Sequence, residues 1–149
     1  MGLDQYLTKK IYIGANYKHR EIAGKIEITE RGKPIEVEFN KVSYIEESAV
    51  YWRKANQIHR WFVENVQDGE DDCKSYYVSN EQLKELVSLC KQVLEDHSLA
   101  ETLLPVQEGC FFENNEYNEY YFKQLQKTID QLTPYLEDAE NEFSYTSSW

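Results

Sequence analysis

The chain has 149 residues, enough for one domain with a core of its own, and 41% of them are apolar. No run of about 18 apolar residues occurs, so no transmembrane helix is expected, and a net charge of −11 disfavours a direct grip on nucleic acid. That charge is uneven: residues 1–66 carry 11 Lys and Arg against 9 Asp and Glu, whereas residues 67–149 carry 5 against 18. The acidic half serves solubility, or it favours partners with a basic surface.

The opening MGLDQYLTKK lacks an apolar signal region, which points to a cytoplasmic protein. Tyr6 stands where a myristoylation signal needs Ser or Thr. Ile11 and Ile13 around Tyr12 predict a short strand, and the aperiodic residues 16–24 a loop. Ile26 and Ile28 alternate with Lys25 and Glu27, and Ile35, Val37 and Phe39 alternate with Glu36 and Glu38. With Arg31-Gly32-Lys33-Pro34 as the turn, this predicts a half-buried hairpin with one face on a core. Residues 42–46 extend that sheet or add a strand.

YWRKANQIHRWFVENV, residues 51–66, carries the clearest helical period. Tyr51, Ala55, Ile58, Phe62 and Val66 share one arc, widened by Trp52 and Val63, while Arg53, Gln57, Arg60 and Glu64 take the opposite face. His59 falls inside the apolar arc and Asn56 at its edge. Two readings stay open. His59 is a core histidine with satisfied hydrogen bonds, or Trp52, Asn56 and His59 line a cleft in which the imidazole titrates near neutral pH.

Beyond this helix, QDGEDDC, residues 67–73, crowds four carboxylates into a short loop. Either the loop is fully solvated, or Asp71 and Asp72 meet a cation or basic group; the spacing is not that of an EF-hand. Residues 74–78 predict a short strand with Tyr76 and Val78 on one face. Ser79 with Gln82 forms a capping box, and Leu83, Leu86, Val87, Cys90, Val93 and Leu94 recur at helical spacing up to about His97. Residues 99–105 are an apolar connector broken by Pro105. Residues 109–112, GCFF, form a compact apolar piece under the core, and Asn114 or Asn115 caps a third helix whose inner face is Tyr117, Tyr121, Leu125, Ile129 and Leu132. Pro134 ends it. The tail alternates at Phe143 and Tyr145, which predicts an ordered segment, a strand added to the sheet being one form of it, with a disordered tail as the alternative.

Together these elements predict a single α+β domain over residues 1–149, a small antiparallel sheet packed against about three helices. The three cysteines, Cys73, Cys90 and Cys110, are odd in number and widely spaced, which favours free thiols over disulfides. Zinc-type ligand spacing is missing, as are the phosphate-binding and nucleophile-elbow glycine motifs. Neither a metal nor a cofactor is expected. A nucleophile would have to be Cys73 or Cys110 with His59 or His97 as base, and spacing alone does not support such a pair.

GLDQYL at the start, YWRKANQIHRWFV in the middle and LP…GCFF…YNEYYF later are the stretches that carry a resemblance. The chain resembles small proteins of phages, prophages and other bacterial mobile elements over most of its length. The resemblance implies a genomic setting, not a chemistry, and gives no catalytic residue. Three functions are expected in descending order. The first is a non-enzymatic acidic protein that binds a basic surface on a host protein, as an inhibitor of a defence factor would. The second is a small-molecule or nucleotide binder at Trp52, Asn56 and His59. The third is an enzyme using His59 with Cys73 or the acidic loop. Ligand or partner contacts are expected at Trp52, Arg53, Asn56, His59, Asp71 and Asp72. The tyrosine-rich composition is also compatible with a homodimer.

Overall fold

The structure, a computed structural model, describes residues 2–19, 24–109, 116–138 and 141–149. The fold is α+β, and no helix among the described residues is long and apolar enough to cross a membrane. The chain divides into two compact units, one formed by residues 1–9 and 47–149 and the other by residues 10–46.

The larger unit holds most of a four-stranded antiparallel sheet, whose first strand ends and whose next begins within residues 10–46. Its strands are β1 (Asp4–Tyr12), β4 (Tyr44–Arg53), β5 (Tyr76–Val78) and β6 (Glu142–Ser148), ordered β4-β1-β6-β5. The C-terminal strand therefore lies inside the sheet, pairing Tyr145 with Tyr76 and Phe143 with Val78. The alternation read in the tail is real: Phe143, Tyr145 and Ser147 are buried and their neighbours are not. Helices α1 (Asn56–Asn65), α2 (Asn80–Glu95), the single turn α3 (Ala100–Leu103) and α4 (Glu119–Leu132) complete the unit. Leu7, Val50, Trp52, Val78, Phe143 and Tyr145 from the sheet share one core with Ile58, Phe62, Leu83, Leu86 and Leu125 from the helices. Apolar side chains removed from water in this way are the main favourable term in folding.

The expected helix over residues 51–66 is shorter than its period suggests. Tyr51, Trp52 and Arg53 belong to β4, where Val50 and Trp52 point inward and Tyr51 and Arg53 outward. Lys54 then takes a left-handed φ of 55°, which ends the strand, and α1 starts at Asn56. No side chain of the N-cap residue itself caps this helix. The fully buried amide of Gln5 instead brackets Ala55, donating to its carbonyl and accepting from its N–H, both at 3.2 Å. The capping box of α2 forms as expected, with the Ser79 hydroxyl accepting from the Gln82 N–H at 3.1 Å and the Gln82 side chain accepting from the Ser79 N–H at 2.9 Å. Helix α4 is capped by Asn118, not by Asn114 or Asn115, which lie outside the described residues with Cys110, Phe111 and Phe112.

In the smaller unit β2 (Ile28–Glu30) and β3 (Lys33–Ile35) form the hairpin. Its turn is only Arg31-Gly32, both at positive φ, so Pro34 lies within β3 opposite Thr29. The expectation of a half-buried hairpin does not hold, because every residue of both strands is exposed. With three residues apiece, the strands form a separate two-stranded sheet.

Candidate functional site

Helix α1 lays His59 on its inner side, as the period requires, and the ring is 0% exposed. Nε2 lies 3.0 Å from Asp71 Oδ1 and Nδ1 lies 2.8 Å from the Tyr145 hydroxyl. A carboxylate only accepts, so Nε2 carries the proton and donates to Asp71. The neutral ring then accepts from the Tyr145 O–H through Nδ1. Burial lowers the His59 pKa below its ordinary value, against the opposing charge and hydrogen bond of Asp71, which favours this neutral form. Burial likewise holds the Tyr145 phenol well above its ordinary value, so it remains a donor. Tyr145 is fixed further by a face-to-face stack on Phe62, with ring centroids 3.8 Å apart.

Asp71 links this interior to the surface. Its side chain is 28% exposed and also accepts from Gln107 Nε2 at 3.2 Å and from the Trp149 indole at 3.2 Å. The backbone N–H of Gln107 in turn donates to Asn56 Oδ1 at 3.3 Å. Within the acidic loop Asp68 and Glu70 are exposed, whereas Asp71 is half-buried and engaged by protein donors. Asp72 is also engaged, accepting from the Lys74 backbone and the Tyr76 hydroxyl and pairing with the Lys74 ammonium at 2.6 Å. The hydrogen bond from Lys74 and its charge hold the Asp72 carboxyl below the ordinary range.

The structure therefore joins His59 to Asp71 directly and Asn56 to Asp71 through Gln107, with Tyr145 on the other side of the His59 ring. Trp52 is reached by packing alone, its ring 5.8 Å from Phe62, and its indole donates to Thr128 Oγ1 at 2.9 Å. Arg53 is exposed on β4 and contributes its carbonyl to the Tyr120 hydroxyl. Trp52, Asn56 and His59 are interior, at 0%, 2% and 0% exposure, and of the three Asn56 borders a recess of about 10 Å3 with Gln57, Asn118 and Tyr121. Both ring nitrogens of His59 are occupied, which leaves neither to activate the exposed Cys73. Cys90 is buried, and its thiol is pushed up to about 12 by burial, as befits a small core residue. Among the described residues no group of three or more His, Cys, Asp or Glu could hold a metal ion. Sequence reasoning missed Gln5, Gln107 and Trp149. Isolated amides and a terminal aromatic carry no periodic signal, and their partners are remote in sequence.

A second feature opens to solvent on the helical side. A groove of about 630 Å3 is lined by α1, the middle of α2 and residues 101–105. Trp61, Leu89 and Leu103 give it apolar walls, and Glu64, Glu85 and Glu101 give it acidic ones. Arg60 is the single basic residue among the described residues that line it, and it is committed to Glu64 at 2.8 Å and to the Val106 carbonyl at 3.1 Å. Comparison of the chain with protein-family models, with curated proteins and with solved structures returned no match.

Proposed function

We propose that the protein acts without catalysis, by binding a basic partner through the acidic groove beside α1. The groove carries the reading. Its exposed lining is mostly polar, and with Arg60 already paired to Glu64, the remaining Glu85 and Glu101 leave a negative field. The larger unit as a whole holds 9 Lys and Arg against 21 Asp and Glu, which extends that field. The resemblance to phage and mobile-element proteins supplies the setting, a bacterial cytoplasm in which the partner is a host protein, a defence factor above all. A ligand at Trp52, Asn56 and His59 fits less well, because those side chains are packed inside.

The test is capture from bacterial lysate with tagged wild-type chain and with Glu64→Lys, Glu85→Lys, Glu101→Lys combined, at about 0.05 M and about 0.5 M salt. A basic protein retained by wild type at low salt, and lost both at high salt and with the triple variant, is the expected result. Retention indifferent to salt and to charge reversal would remove the reading.

A further inference from the structure

The hairpin unit of residues 10–46 presents an apolar surface with no counterpart in the acidic groove. Among its described residues the only buried position is Gly14, so no side chain is fully covered. Yet Ile28 lies opposite Ile35 in the β2–β3 register, and both are 44% exposed. Two residues further along the chain on either side, Ile26 and Val37 join Ile28, Val42, Tyr44 and Ile45 around an apolar hollow of about 420 Å3. Paired β-branched residues on one face of a hairpin are the pattern of a face that is meant to be covered, and a lone two-stranded hairpin is marginal in water. An aliphatic patch of this kind marks an interaction surface.

Charge selects the occupant. This unit holds 7 Lys and Arg against 6 Asp and Glu, so it is close to neutral in a chain of net −11. A basic partner is drawn to the acidic unit instead. Two copies of the chain repel each other through their acidic units, and the near-neutral patch is where they can meet without that penalty. Its rim is also self-complementary. Lys25, Lys33 and Lys41 are interspersed with Glu27, Glu36 and Glu38, and Lys25–Glu27 and Lys41–Glu38 form ion pairs within one copy. A two-fold axis brings the same patch of each copy together and sets rim lysines against rim glutamates.

We infer that the hairpin face around Ile28 and Ile35 is the interface of a homodimer, formed by burying this aliphatic patch against its own copy. The inference is independent of the proposed groove, which lies in the other unit.

Sedimentation of the full chain from low-micromolar to sub-millimolar concentration tests it, with two variants. Ile28→Thr combined with Ile35→Thr keeps β-propensity and removes the aliphatic surface. Lys25→Glu, Lys33→Glu and Lys41→Glu combined makes the rim single-signed and touches no core residue. Wild type should show a reversible dimer, and each variant should weaken it by at least about tenfold with unchanged circular dichroism. A wild-type chain that stays monomeric throughout would overturn the inference and assign the patch to a different protein. A dimer that survives both variants would overturn it too, by locating the contact elsewhere.

Discussion

His59 holds three pieces of chain that are distant in sequence. It lies on α1, accepts from Tyr145 on the C-terminal strand and donates to Asp71 in the loop. Replacing Tyr145 by Phe keeps the stack on Phe62 but leaves Nδ1 a buried acceptor without its donor. The expected loss is about 1–3 kcal/mol in chemical denaturation; no measurable loss would mean that the hydroxyl is not held as described. The same ring sets a pH dependence. Its folded pKa lies below the ordinary value of the unfolded chain, so between those values the unfolded state binds more protons and stability rises with pH. On acidification, stability should fall from about pH 6.5 downward until the folded pKa is passed, by up to about 1.4 kcal/mol per pH unit. His59→Gln removes the titrating group. Unfolding followed between neutral pH and pH about 5 should be flatter for that variant than for wild type, and equal slopes would contradict the assignment.

At the scale of elements, what was legible was local. The capping box, the face of α2 that buries Leu83, Leu86 and Cys90, and the alternation of the tail depend on residues a few positions apart, and each appears where the pattern put it. Ser79→Ala should accordingly cost about 1 kcal/mol, and Ser79→Asp should recover most of it; thermal unfolding of the pair checks this. Illegible features depended on distant partners. Residues 51–53 satisfy a helical period and a strand period at once, and tertiary context decides between them. Trp52 gains a buried hydrogen bond to Thr128, 76 positions away, and Lys54 takes a left-handed φ that ends the strand. Likewise the cap of α1 comes from Gln5, 50 positions upstream, and no scan of the helix's own flanks could find it. His59 itself was legible as a polar residue on an apolar face; its partners were not, apart from the acidic loop in which Asp71 lies.

For the molecule as a whole, the most consequential feature is where the last strand lies. β6 stands between β1 and β5, so its backbone hydrogen bonds on both edges and its inward side chains belong to the interior of the sheet. It delivers Phe143 and Tyr145 to the core and, just beyond the strand, Trp149 to Asp71. Deleting residues 142–149 would thus do more than trim an edge. Burying one large side chain contributes roughly 1.5–3 kcal/mol, and two are lost here, together with the donor to His59. The unpaired edges of β1 and β5 would also be left open. Against a net stability of about 5–15 kcal/mol for an ordinary domain, that loss is enough to abolish cooperative folding. The truncated chain should lose its near-ultraviolet circular dichroism and its sharp thermal transition, and it should aggregate through the exposed strand edges. A truncated chain that still melts cooperatively within a few degrees of wild type would show that the sheet does not depend on β6. The hydrogen-bonded joining of His59, Asp71 and Tyr145 would then have to be reconsidered as well, since it exists only because that strand is central.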